Sequence, residues 1–311
     1  MLTFILRRIA FLLPVWLGIS LFAFVLANLT PGDPARLALQ REIGGQPTAG
    51  QVAEARERLG LNDPAPVRYV HWVTDAVTGD LGTSYRTGTP VLQSLADRFP
   101  TTLQIAGLGL ALSIAIAIPV GVLAAVYRQS PIDHGSRVLA LIGASMPSYW
   151  VAYLLILLFS VRLGWLPVAG SSTWQHALLP AVTLGIGGSA SLMRLVRSEM
   201  LETLGQDYVR TARSKGLSQR IVVIRHALRN ALIPTTTVIG MRFAGMLGGA
   251  VIVETIFSWP GIGKLIVDAI FDRDYPMIQG FVVFMGTAFL LINLIVDIGY
   301  GIIDPRVRIA K

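Results

Sequence analysis

Cysteine is absent from all 311 residues, which removes disulfides, thiol catalysis and thiolate metal sites from consideration. Charge is scarce as well: 14% of residues are Asp, Glu, Lys or Arg, against 53% hydrophobic. That balance is too apolar for a water-soluble domain and fits a chain that crosses a membrane several times. No phosphate loop is present, because Gly263-Lys264 lacks the upstream Gly of that motif and Leu265 stands where Ser or Thr would ligate magnesium. HExxH and G-x-S-x-G are missing, and His71, His134, His176 and His226 are scattered without ligand spacing. The chain is therefore expected to carry no catalytic residue and no metal site, to bind no cofactor itself, and not to be an enzyme.

What is present is a series of long apolar runs. A hydrocarbon core about 30 Å thick takes roughly 20 helical residues, and six segments approach that length: 9–27, 101–127, 138–161, 177–193, 231–253 and 281–303. Alternating ten-residue strands are missing, so the spans are read as helices that satisfy their own backbone groups. Arg7 and Arg8 precede the first run, which is longer than the apolar core of a cleaved signal and is expected to remain as a span.

Orientation follows from the cations. With the N-terminus inside, the inner face holds fifteen cations against five acids, whereas the outer segments come to a net charge of −1. The net charge of +8 thus reads as topology, N-in and C-in with six spans, and not as a nucleic-acid surface. The densest inner stretch holds Arg194, Arg197, Arg210, Arg213, Lys215, Arg220, Arg225 and Arg229. Within it Gly216 separates two helical stretches. Tyr208, Val209 and Ala212 belong to the first, and Ile221, Ile224 and Leu228 share one face of the second, with Arg225 and Arg229 on another. Such a pair of helices suits a plug for a cleft in a soluble partner, or a belt on anionic lipid headgroups.

The boundaries expected are a first span at 1–29, an extracytoplasmic helical insertion at 30–100, a membrane domain at 101–304 with a cytoplasmic loop at 198–231, and a tail at 305–311. In the insertion, Thr48 and Gln51 have the spacing of a capping box, and Gly60 stands where that helix would stop. Tyr69, Trp72, Val73 and Ala76 then form an apolar stripe on a second helix, ended by the turn-rich GDLGTSYRTGTP. The insertion is either a small helical cap or a docking surface. After the fifth span Trp259-Pro260-Gly261 breaks the helix, and Ile262, Leu265, Ile266, Ala269 and Ile270 line one face of a short helix at the outer interface or entrance.

Charges within spans mark transport paths. Arg242 lies near the middle of the fifth span and Glu254 near its outer end; twelve residues, about 18 Å of helix, separate them. Arg242 has two roles open to it, a contact for an anionic group of cargo in a water-filled path or a buried ion-pair partner. Glu254 is an outer gate or a cap for the break at Trp259. Ser189 and Ser191 sit among Gly185, Gly187, Gly188 and Ala190, a composition that speaks for close helix packing over a protease nucleophile.

Tyr208 to Gly216 (YVRTARSKG), followed by Arg225-His226-Ala227-Leu228 and Asn230-Ala231-Leu232-Ile233-Pro234, resembles the coupling loop of ATP-binding-cassette importer permeases of the peptide/nickel type. The general motif begins Glu-Ala-Ala and places Gly four residues after its second Ala. Here Arg210-Thr211-Ala212 and Gly216 occupy those positions. Leu81-Gly82-Thr83-Ser84, Val253 to Gly263 and Asp304-Pro305-Arg306 agree with the same family, so the resemblance covers essentially the whole chain. It implies an all-α polytopic protein with the type I importer permease fold in a bacterial cytoplasmic membrane. It also implies a second homologous permease subunit, two ATPase subunits that bind ATP and Mg, an extracytoplasmic substrate-binding protein, and lipid around the spans. Tyr208, Arg210, Thr211, Ala212, Lys215 and Gly216 would form the coupling helix, with Gly216 as its hinge or turn and Ala212 as the small residue permitting close contact. The cargo implied is short peptides, with glutathione or a nickel chelate as alternatives. A secondary transporter would instead need ion-coupling residues near the midplane and a repeat between halves; neither is seen.

Overall fold

A computed structural model describes residues 2–29, 33–43 and 45–303. Among these residues the fold is helical, with one isolated bridge between Thr83 and Pro90. The chain divides into two compact units, Met1–Pro100 with Lys264–Leu291, and Thr101–Gly263 with Ile292–Lys311. The Asp304-Pro305-Arg306 motif and the 305–311 tail lie outside the described residues.

In the first unit, α1 (Leu2–Leu29) runs through the first apolar stretch. Three shorter helices follow, α2 (Pro34–Ile43), α3 (Ala49–Arg58) and α4 (Ala65–Thr78). Thr48 and Gln51 form the reciprocal capping box at the start of α3, and the helix stops at Gly60 as its sequence signals. The stripe on α4 turns toward α1: the Tyr69 ring meets Phe24 edge-on at 5.4 Å, and its hydroxyl is 2.9 Å from the Ser20 hydroxyl. The turn-rich segment after α4 is pinned by one buried carboxylate. Asp274 accepts the Ser84 hydroxyl and the Tyr85 and Arg86 backbone N–H groups, so the end of the Leu81-Gly82-Thr83-Ser84 motif is tied to the residue just before the helix Tyr275–Ile303.

In the second unit, the part of α5 (Val91–Val126) from Thr101 onward packs with α6 (Pro131–Ser145), α7 (Ser148–Leu155), α8 (Leu178–Leu204) and α11 (Arg229–Ile256). Small residues let these helices approach. A Cβ on Gly185 would lie 2.9 Å from Leu112, and one on Gly188 would lie 2.5 Å from the Ser113 hydroxyl. The Ser189 hydroxyl donates to the Ile186 carbonyl of its own helix.

Among the described residues, five helices are long and apolar enough to cross a membrane, and a bent pair can make a sixth span. That pair is the third span expected from sequence, which is not straight: α6 and the helix from Ser148 to Arg162 meet at 103°. Proline explains the break. Pro147 offers no N–H, and its ring drives Met146 out of the helical region to φ −80°, ψ 125°. After Phe257 the fifth span also breaks, at Trp259-Pro260-Gly261, and α12 (Ile262–Phe271) leads to α13 (Tyr275–Ile303). Ile262, Ile266 and Ala269 of the α12 stripe are buried, whereas Ile270 is exposed.

Candidate coupling loop and intramembrane polar residues

The basic segment folds as two helical stretches around Gly216. The first, α9 (Asp207–Ser214), follows the end of α8 directly. It closes with the hydrogen-bond pattern of a Schellman turn: the Gly216 N–H donates to the Arg213 carbonyl at 2.9 Å and the Leu217 N–H to the Ala212 carbonyl at 3.4 Å. Gly216 has φ +77°, where a Cβ costs about 1–2 kcal/mol. Its missing Cβ would meet nothing within 4 Å, so glycine stands here for backbone shape.

Tyr208, Arg210, Thr211, Lys215 and Gly216 are exposed. Ala212 is not. It is 6% exposed and forms a small core with Val209 and Val222, with Leu204 packed against it. The small residue expected to permit close contact thus makes that contact within the loop, where its methyl group packs the loop's own two helices together. Asn230 donates through Nδ2 to the Tyr208 hydroxyl at 2.8 Å, which ties α9 to the first turn of α11.

The second stretch also differs from its sequence pattern. Ile221 and Ile224 are 43% and 53% exposed, while Val222, Val223 and Ala227 are buried. The cause is a wide helical turn: α10 (Gln219–Ile221) continues as a π-helix from Val222 to Leu228 before α11 begins. Hydrogen bonds from i to i+5 place residues five apart on one face, so Val222 and Ala227 point inward together. A 3.6-residue period assigns the inward face wrongly by one position.

A buried ion pair braces α8 ahead of this loop. Asp133, 1% exposed, accepts from Arg197 Nε at 2.7 Å and Nη2 at 2.8 Å, and from the Gln129 N–H at 3.0 Å. Ser130 caps the helix that carries Asp133 by accepting the Asp133 N–H. The Ser130-Pro131 pair and Asp133 three residues past the cap are legible as a helix start. The partner, 64 residues away, is not.

Glu254 is fully buried. It accepts the Thr102 hydroxyl at 2.6 Å and the Gly263 N–H at 2.7 Å, and Thr102 in turn accepts the Ile262 N–H at 3.0 Å. A Cβ on Gly261 would land on the Glu254 carboxyl group. Trp259 donates its indole N–H to the Thr101 carbonyl at 3.0 Å. The carboxylate thus organises the backbone of the break and favours the cap over the gate.

Arg242 is half-buried on α11, and its Nε is buried with no hydrogen-bond partner among the described residues. The nearby charge acting on it is another cation, Arg194 of α8. The structure does not bring Arg242 to Glu254, which accepts from Thr102 and Gly263. Among the described residues no group of three or more His, Asp or Glu side chains is placed to hold a metal.

A membrane domain of glycine-packed, proline-broken helices, with an exposed basic helix between two spans, defines the permease class of importer subunits. The chain belongs to the family of binding-protein-dependent transport system inner membrane components, whose pattern matches residues 117–309, with its N-terminal companion matching residues 1–106. Over 308 residues, 99% of each chain, it is 41% identical to the glutathione transport system permease protein GsiC of Salmonella typhi. Its identity to the GsiC protein of Escherichia coli K12 is 40% over 309 residues, again 99% of each. The fold is also that of the inward-facing MetNI methionine ABC transporter, with TM-score 0.58, 18% identity, and coverage of 68% of this chain and 97% of that one. An amino acid ABC transporter matches at TM-score 0.52 with 15% identity, covering 69% and 94%. The chain is thus a multi-pass ABC importer permease with the type I fold, a bacterial inner-membrane protein whose family relies on ATPase and binding-protein partners.

Proposed function

We propose that this permease forms half of a pathway for short peptides, with a second homologous permease subunit forming the other half and lipid covering the outer helices. Glutathione is the first cargo to test, because relatives about 41% identical carry that transport in their names. The helix Asp207–Ser214 enters the cleft of an ATPase subunit, and closure of two ATPases on ATP and Mg moves the spans by rigid-body alternating access. One observation carries this reading: a short basic helix stands exposed between two spans and is fixed at both ends, by the Tyr208–Asn230 hydrogen bond and the Gly216 turn. Tyr208, Arg210, Thr211 and Lys215 supply its contact surface, while Ala212 and Gly216 hold its shape.

The test is ATP-dependent uptake of labelled glutathione and trialanine into proteoliposomes carrying the assembled complex and its binding protein. Thr211→Trp and Lys215→Glu, both at exposed positions, should insert normally yet lower uptake at least tenfold. Uptake at the normal rate in both variants would remove the coupling role from this helix.

Arg242 is assigned to the pathway, where its unpartnered guanidinium meets a carboxylate of the cargo. Charged groups deep in spans ordinarily face a partner or a water-filled cavity, and the described residues give Arg242 no partner. Arg242→Met should raise the concentration needed for half-maximal uptake while leaving ATPase assembly intact. Loss of assembly with no change in that concentration would make Arg242 structural.

A further inference from the structure

The first unit contains a cleft of about 1030 Å³, large enough for a molecule of peptide size. One wall is α4, which presents Arg68, His71, Trp72 and Asp75 to it. These residues stand at i, i+3, i+4 and i+7 and so share one helical face. The facing wall is the loop that Asp274 pins, including Tyr85 and Thr87, and Gln279 of α13 also lines the cleft.

Several features mark this as a site for a ligand with a charge at each end. Arg68 lies over the Phe24 ring at 5.8 Å and has no ion pair among the described residues. Asp75, which is exposed, likewise has no side-chain hydrogen bond or ion pair there, so a cation and an anion without ion-pair partners among the described residues stand at opposite ends of one helix face. Seven residues of helix separate them by about 10 Å, which is the span of about three residues of extended peptide. The Gln279 side-chain nitrogen is buried and has no hydrogen-bond partner among the described residues, which leaves a donor for a peptide carbonyl. Between the charges, Trp72 offers an apolar face. Burial, with Asp274 adding, pushes the Tyr85 hydroxyl above its ordinary value, so it is a neutral hydrogen-bonding group at physiological pH.

From this geometry we infer that the outer insertion carries its own binding site for a short zwitterionic peptide, carboxylate at Arg68 and ammonium at Asp75, apart from the intramembrane path. The inference rests on peptides being the cargo. A phosphatidylethanolamine headgroup is also zwitterionic, but its charges are two carbons apart and do not reach from Arg68 to Asp75.

The experiment uses the permease–ATPase complex in nanodiscs without its binding protein, titrated with trialanine and with glutathione. Saturable binding is expected, weakened at least tenfold by Arg68→Gln and by Asp75→Asn, and absent for trialanine capped at both termini. No saturable binding, equal binding of the capped peptide, or displacement by glycerophosphoethanolamine at the same concentration as by trialanine would overturn the site. Uptake assays on the complete system separate the two claims. Normal peptide uptake without binding in nanodiscs overturns this site alone, whereas intact binding without ATP-driven uptake of any peptide overturns the import reading and leaves the site.

Discussion

At the scale of a residue, a gate and a cap differ in what the carboxylate faces. Glu254 faces the Thr102 hydroxyl and the Gly263 N–H, both buried, and each such donor left unsatisfied costs about 1–3 kcal/mol. Glu254→Ala should therefore lower the melting temperature of the detergent-solubilised complex. Glu254→Gln, which keeps an acceptor oxygen, should lower it less. Gly261→Ala should act in the same direction by pushing against the carboxyl group. A Glu254→Ala complex that melts like the wild type and yet fails to transport would return the residue to the role of gate.

At the scale of elements, α8 matters because the basic loop begins where it ends. The Asp133–Arg197 pair clamps α8 to α6 with two short hydrogen bonds, and breaking a buried pair from one side costs roughly 3–5 kcal/mol. Arg197→Met, which leaves a buried carboxylate without its cation, should destabilise the complex strongly, with Asp133→Asn milder. The double variant should lose less than the sum of the two in thermal unfolding. Additive losses would show that the side chains act independently.

The same elements show where sequence reasoning stops. Span existence, the α3 capping box, the α4 stripe and the break at Trp259 are local patterns, and each is legible because a few consecutive residues determine it. The 103° bend at Pro147 hides inside an unbroken apolar run, whose length alone suggests one straight span. The π-turn from Val222 to Leu228 hides for another reason: Ile221, Ile224 and Leu228 fit a 3.6 period well, and only tertiary packing turns Val222 and Ala227 inward in place of Ile221 and Ile224, while Leu228 still packs against the core. Of the loop residues, Gly216 was legible as a turn because its backbone demand is local, whereas the inward direction of Ala212 depends on Val222, ten residues on. The cleft beside α4 was legible only as a helix face, since its other wall includes Tyr275, Pro276 and Gln279, far away in the sequence.

At the scale of the whole molecule, the charge asymmetry makes a claim that the missing cysteines allow to be tested directly. If excess Lys and Arg lie inside, the loop around α9 is cytoplasmic and the turn after α4 is outside. A chain without cysteine has no background reaction with maleimides, so single substitutions report location cleanly. Thr87→Cys and Ser214→Cys both sit at exposed positions, one on each proposed side. In intact spheroplasts a membrane-impermeant maleimide should label Thr87→Cys within minutes and leave Ser214→Cys untouched until the membrane is permeabilised. Co-expressed ATPase subunits should then slow labelling of Ser214→Cys, because the proposed docking covers α9, while free permease reacts at the full rate. Labelling of Ser214→Cys from outside would invert the topology and remove the ATPase contact with it. Cytoplasmic labelling that the ATPases do not slow would keep the topology and move the docking surface off α9.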